Sequence, residues 1–281
     1  METQSNFLKP IDIKQVFYEK NPSVARYIPG FIFRYLKRII HEQFVNEFLK
    51  KHGTKLNIDF INAAMEDFNV NLSIEGIENL PETGRLLFVS NHPLGGFDGL
   101  LLAKTIYQKY GNTKVLVNDI LMNITNVRGM FIPINKHGRQ AADFARTINE
   151  TYASDEQLIS FPAGLVSRKI KGQIMDLEWQ KSFIQKSAQY KRTIIPSFVT
   201  GHNSKFFYRL SNIRKALGIK ANIEMLYLAD ETYKHRNKNF TIKFGKPIPY
   251  ETFDTSKRPK EWAKWVKEQV YALNGISEIP Y

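Results

Sequence analysis

Ser90-Asn91-His92-Pro93-Leu94-Gly95-Gly96-Phe97-Asp98-Gly99 lies between two apolar runs, Leu86-Leu87-Phe88-Val89 before it and Leu100-Leu101-Leu102-Ala103 after it. The first run is short and uninterrupted and reads as a buried strand; the second opens a helix. A histidine and an aspartate therefore share a strand-to-helix turn, the kind of loop on which a rigid scaffold carries chemistry. Gly95 and Gly96 permit positive φ or a close backbone approach, and Asp98 is placed to cap the helix or to turn back onto His92. Neutral imidazole accepts a proton near neutral pH, and a carboxylate on its other nitrogen fixes the tautomer and stabilises the imidazolium. The chain has no cysteine, and Ser90 is two residues back on the strand. Direct attack by an activated substrate hydroxyl or amine is therefore more natural than a covalent enzyme intermediate. The competing reading is a satisfied histidine at a helix start beside a capping aspartate.

A second apolar run, Leu158-Ile159-Ser160-Phe161, passes directly into Pro162-Ala163-Gly164-Leu165-Val166-Ser167-Arg168. Two strand ends, one with His and Asp and one with Pro, Gly, Ser and Arg, can converge at the carboxyl edge of one sheet, where open α/β sheets hold ligands. Further strands are expected over 71–76, 114–117, 130–134, 193–199, 223–229 and 240–244, and helices over 31–51, 57–68, 100–110, 139–152, 178–190 and 206–217. Pro196 suits an edge strand or a strand end. Trp262, Val266, Val270 and Leu273 follow the spacing of a core-packed terminal helix. The alternation predicts an α/β domain with a mixed, largely parallel sheet flanked by helices, over 70–281, preceded by an N-terminal helical extension over 1–69.

The formal charge is +13, and 43% of the 281 residues are hydrophobic, ample for a core. Such a charge points to an acidic partner: anionic lipid, nucleic acid or an acidic protein. Nucleic acid is disfavoured, because no groove-reading motif is present and the aromatics fall at core spacings. Without cysteine or paired-histidine spacing, a metal site is unsupported. The 31–51 segment is too charged to span a bilayer but, like 206–217, reads either as a membrane-surface helix or as an ordinary amphipathic one.

Asn91-His92 with Asp98, Arg128-Gly129-Met130-Phe131-Ile132-Pro133 with Lys136, Phe161-Pro162-x-Gly164, and Ile194-Ile195-Pro196 stand in an order that resembles the four motifs of the glycerolipid acyltransferase superfamily. Five residues, in place of the family's four, separate His92 from Asp98; the Gly95-Gly96 pair can absorb the extra one. Ala163 stands where the third motif has Glu, and Asn135 where the second usually has a basic residue. These departures resemble the hemolysin-like subgroup, the ornithine-lipid and glycine-lipid N-acyltransferases.

The resemblance implies an α/β acyltransferase with His92 as general base and Asp98 orienting it. It implies Asn91, Gly95, Gly96, Lys136, Arg139, Phe161, Pro162, Gly164, Ser167 and Arg168 around the substrates. Arg168, Lys136 and Arg139 are expected to meet an acceptor carboxylate or a donor phosphate, and backbone N–H groups near Gly95, Gly96 and Gly164 an oxyanion. The expected reaction moves a 3-hydroxyacyl group from acyl carrier protein to the amino group of glycine or ornithine, with no cofactor beyond that thioester. A partner O-acyltransferase is among the expected partners, and the chain is expected in the cytoplasm, peripheral on the anionic face of the inner membrane. The alternatives are O-acylation of a lysophospholipid or glycerol phosphate, and a non-catalytic basic lipid-binding protein.

Overall fold

The apolar run before His92 forms the centre of the sheet. In the computed structural model, which describes residues 10–20, 22–134 and 141–276, the strands are β1 (Asn71–Glu75), β2 (Leu86–Ser90), β3 (Lys114–Val117), β4 (Phe131–Pro133), β5 (Leu158–Ser160), β6 (Arg168–Ile170), β7 (Gln173–Met175), β8 (Thr193–Val199) and β9 (Asn239–Phe244). Seven of them form one sheet in the order β1-β9-β8-β2-β5-β3-β4, while β6 and β7 form a separate antiparallel hairpin. Neighbours in the large sheet run parallel except β8 and β9. The alternation of strand and helix dictates this: each crossover returns the chain to the same sheet edge.

All of β2 is buried, and its side chains alternate between two core layers. Phe88 faces the layer covered by helices Asn57–Asp67 and Gly96–Tyr110, through Ile61, Leu101 and Ile106. Leu87 and Val89 face the layer covered by helices Ser182–Tyr190 and Pro259–Ala272, through Phe183, Val266 and Val270. Burial on both faces explains why β2 reads as a continuous apolar run.

Four expectations are corrected. The 31–51 segment is two helices, Gly30–Ile39 and Glu42–His52, because His41 between them is left-handed at φ 51°. His41 is held there by Asp230 at 2.8 Å and by stacking on Tyr233. The 223–229 run is a 3-10 turn, Ile223–Tyr227, followed by helix Leu228–Tyr233. A short apolar run carries no period that separates strand from helix, and a buried ion pair at Glu224 decides the matter. The strand with Pro196 is interior, not an edge. Ile194 and Thr200, of the same parity, donate toward the β9 side, to Ile248 and Thr241. The N–H that Pro196 lacks would point into the gap between Phe244 and Ile248, where the chain leaves β9, so no ladder bond is lost. Helix 178–190 begins only at Ser182.

β8 is preceded by Arg192, whose side chain is wholly buried. Its guanidinium donates to five backbone carbonyls: Tyr152, Thr151, Ser154, Glu156 and Leu86. Four of these end helix Ala141–Ala153 or follow it, where unpaired carbonyls and the helix dipole favour a cation. Burial draws the guanidinium pKa down to about 10, and it stays charged at neutral pH. Arg192→Met keeps the volume and orphans these acceptors, so we expect a loss of about 3 kcal/mol or more in chemical denaturation. Wild-type stability in that variant would show that water satisfies the carbonyls instead.

Candidate active site

The His92 turn is set by hydrogen bonds that the end of the sheet leaves available. Beyond β2, the Asn91 side chain donates to the Val199 carbonyl at 3.0 Å and accepts from the Val199 N–H at 2.8 Å, closing the ladder against β8. The chain then lifts out of the sheet, and the His92 carbonyl accepts from Ser167 N–H at 2.8 Å. Gly95 is left-handed at φ 72°, and a Cβ there would lie 3.3 Å from Leu228. Gly95 thus absorbs the additional residue of the turn.

Asp98 lies in the first turn of helix Gly96–Tyr110, with Gly95 as N-cap. Its carboxylate is fully buried; one oxygen meets His92 Nδ1 at 2.9 Å and the other accepts from Leu94 N–H at 2.9 Å. With Nδ1–H facing the carboxylate, neutral His92 carries its lone pair on Nε2. Burial opposes protonation of the ring, but the Asp98 carboxylate outweighs it, aided by Asp176 and opposed by Arg168, so the His92 pKa is raised above its usual value.

A second buried carboxylate, Asp176, holds the two loops together. It accepts from Ser167 Oγ at 2.5 Å, His92 N–H at 3.2 Å and Trp179 Nε1 at 2.9 Å. Burial pushes its pKa up, against the pull of these donors. The Asp176 N–H donates to Tyr271 Oη at 2.6 Å and its carbonyl accepts from Lys267 Nζ at 2.8 Å, which ties the knot to helix Pro259–Ala272.

The two strand ends meet: the His92 and Phe161 rings are 4.4 Å apart. His92, Gly95, Gly96, Phe161 and Gly164 line one cavity of about 150 Å³. Its far wall is apolar, built from Val115, Val117, Leu121, Phe131, Leu165 and Leu228. The Phe161 ring lies against the helix at Gly99, where a Cβ would sit 3.6 Å from it in ordinary van der Waals contact. Such a chamber suits a hydrocarbon chain with its reacting end at His92.

The remaining expected residues stand behind this cavity. Asn91 and Ser167 are buried in the hydrogen bonds just described, and the Pro162 carbonyl accepts from Gln180 N–H. Gly164 N–H is spent on the Phe161 carbonyl at 3.0 Å, which removes it as an oxyanion donor. Arg168, expected to meet a substrate anion, is only 1% exposed. It donates to Glu224 at 2.9 Å and to the Val166 carbonyl at 2.6 Å, and Arg214 closes on the same Glu224 at 2.8 Å. A polar fork after an exposed turn looks the same in sequence whether it faces solvent or a buried acid. Lys136 and Arg139 lie outside the described residues. Ala163 is buried in the second core layer near Trp179, so no charge occupies the place of the family's glutamate.

Asp176, Trp179, Tyr271 and the cavity wall were not anticipated. Asp176 sits in Met175-Asp176-Leu177-Glu178 without a pattern to mark it, and the wall residues read as ordinary strand core. No group of three His, Asp or Glu among the described residues is arranged to hold a metal.

The acyltransferase family model matches residues 15–278. Over 274 residues the chain is 50% identical to a lyso-glycine lipid O-acyltransferase of Bacteroides thetaiotaomicron, spanning 97% of this chain and 100% of that protein. It is 49% identical to a protein of the same name from Phocaeicola vulgatus, spanning 97% and 98%. Among solved structures, the 1-acyl-sn-glycerophosphate acyltransferase of Thermotoga maritima aligns over 89% of this chain and 95% of that one, at 14% identity and a TM-score of 0.46. The two curated relatives overturn the expectation that an amino group is acylated, since both are named for O-acylation and so favour the ester-forming alternative. The sequence misled here because a His–Asp pair serves oxygen and nitrogen acceptors alike, so the motif does not encode the acceptor atom. Buried His92–Asp98 geometry, an apolar chamber beside it and a family match over nearly the whole chain agree: the chain belongs to the acyltransferase family and is an acyltransferase.

Proposed function

We propose that this chain acylates the free hydroxyl of a lyso-glycine lipid, using a fatty acyl thioester as donor and acyl carrier protein as its carrier. The observation that carries the reading is the His92–Asp98 pair at the head of the apolar cavity, in a chain half identical to enzymes named for that reaction. An alcohol needs its proton removed as it attacks, whereas a neutral amine attacks with its own lone pair. A carboxylate-backed imidazole can take the alcohol's proton, and the choice of oxygen over nitrogen rests on the two relatives and not on the pair itself.

In the proposed step, His92 Nε2 accepts the hydroxyl proton while the oxygen adds to the thioester carbonyl carbon. The tetrahedral oxyanion lies at the positive end of helix Gly96–Tyr110, whose first residues line the cavity. Collapse breaks the C–S bond, the imidazolium returns its proton to the departing thiolate, and an ester and a free thiol leave. Asp98 stabilises the imidazolium between the two transfers. Arg168 is committed to Glu224 and is not available to the glycine carboxylate. Amide formation on glycine then belongs to a separate, earlier acyltransferase, and net charge +13 favours an acidic carrier.

Incubating the purified protein with acyl carrier protein thioester and an N-(3-hydroxyacyl)glycine is expected to give a doubly acylated ester, detected by mass spectrometry and absent with His92→Ala. If the protein turns over only lysophospholipid or glycerol phosphate, the proposed acceptor is wrong. His92→Ala should stay folded with a lowered melting temperature, since it leaves one oxygen of buried Asp98 without its partner while the backbone contacts of the loop remain; full activity in that variant would remove the base from the mechanism.

The raised His92 pKa gives the pH profile its sign. The neutral ring is the base, so kcat/KM should rise with pH and reach half its plateau above about 6.5, the ordinary imidazole value. In Asp98→Asn the midpoint should fall and the plateau drop by about a hundredfold or more. An unchanged midpoint would mean that another group titrates.

A further inference from the structure

Behind the Asp176 knot lies a second cavity, of about 550 Å³, which shares no lining residue with the cavity at His92. Ile170, Leu177 and the buried Trp179 give it an apolar floor. Arg258, Lys260 and Lys264 stand at its rim with their side chains exposed, so their stems extend the apolar wall while their charges stay in water. The two acids of the rim are already held: Glu261 by Arg258 at 2.9 Å and Glu178 by Lys260 at 2.7 Å.

The cation inside the cavity differs from those at the rim. Lys267 is 4% exposed, and its Nζ donates to the carbonyls of Asp176 and Leu177 at 2.8 and 3.1 Å. Among the described residues no carboxylate stands within ion-pair distance of it. The Asp176 carboxylate is turned to Ser167, Trp179 and the His92 amide. Burial draws the Lys267 pKa down, against the longer-range pull of Asp176, Glu178 and Glu268. A buried ammonium that meets dipoles but no counter-charge is costly. It also carries three N–H groups, of which the carbonyls take two.

We propose that this cavity binds an amphipathic carboxylate, a hydrocarbon chain ending in a single carboxyl group, with the carboxylate on Lys267 and the chain over Trp179, Leu177 and Ile170. Three features select that class. The cavity has the size that holds a molecule of some twenty or more heavy atoms, about that of a lipid chain, and a small inorganic anion would leave the floor wet. A wholly apolar ligand would leave the Lys267 charge uncompensated. A polyanion would face Glu178 and Glu261 at the rim. Free fatty acids and N-acylglycines share the required chemistry. Asp176 links the two cavities, since its side chain holds the His92 loop and its carbonyl holds Lys267. A ligand that takes the third N–H leaves both carbonyl bonds in place, so occupancy braces the knot and raises the melting temperature. The site makes no use of the reaction at His92 and stands or falls apart from it.

The test labels the wild-type chain with two photoreactive probes, dodecanoic acid and N-dodecanoylglycine, each carrying a diazirine in its hydrocarbon chain, and locates the label by mass spectrometry. We expect saturable labelling within 170–179 or 258–267, with the stronger of the two unlabelled competitors identifying the source of the carboxylate. Dodecanol should compete on the order of tenfold or more less well than dodecanoic acid, the loss of one charge-assisted hydrogen bond. Lys267→Met should lose this labelling while still melting cooperatively. The comparison of acid with alcohol is made on the wild-type chain and holds even if that variant unfolds. Label confined to the cavity at His92, equal competition by the alcohol, undiminished labelling of folded Lys267→Met, or an unshifted melting temperature at saturating acid would each overturn the proposal.

Discussion

A carboxylate removed from water costs several kcal/mol unless its oxygens are fully occupied, and Asp176 meets that demand by drawing three donors from three places. Ser167 comes from the loop after β5, the His92 amide from the loop after β2, and Trp179 from the approach to the next helix. The backbone of the same residue is held by Tyr271 and Lys267 of the last helix. Strand pairing brings β2 and β5 side by side, but parallel strands leave the loops beyond them free to diverge. Asp176 supplies what the sheet cannot: a fixed separation between the histidine turn and the Pro–Gly turn. The cavity between Phe161 and helix Gly96–Tyr110 depends on that separation.

The division of labour between the two buried acids follows from their partners. Asp98 sits against the imidazole ring and sets its tautomer and basicity. Asp176 touches only the backbone of the same residue and sets where the ring stands. Asp98 is thus the larger influence on proton affinity and Asp176 on position, although the Asp176 charge also helps to raise the His92 pKa. Neither acid informs the choice of acceptor, and this explains how the His92–Asp98 pair was readable while an oxygen acceptor was read as nitrogen.

Much of the sheet was legible because its strands are buried on both faces and the runs are bounded by turn residues; Lys114–Val117 and Thr193–Val199 match their expected limits. The convergence of Asn91-His92 with Phe161-Pro162 was legible for the same reason, as two apolar runs each ended in chemistry-bearing turns. What failed was whatever depended on distant partners. Ile223–Tyr227 looks like a strand until Arg168 and Arg214 are placed around Glu224, and the break at His41 depends on Asp230, almost two hundred residues away. Arg192 had no signature, because backbone carbonyls are invisible as a binding pattern. The charge of Arg168 was read correctly, and its direction was not.

Arg168 also shows how activity data on such a chain can deceive. Its guanidinium, with Arg214, holds Glu224 and therefore the turn that carries Met225 and Leu228 into the cavity wall. Truncating it would leave an acid without its full counter-charge beside the cavity, and the wall would relax. An alanine scan would then score Arg168 among the catalytic residues, although it is walled off from solvent and substrate. In this fold the loss of turnover on removing a buried cation measures the stiffness of the chamber, and only a charge-preserving swap of Arg168 with Glu224 distinguishes a scaffold from a contact.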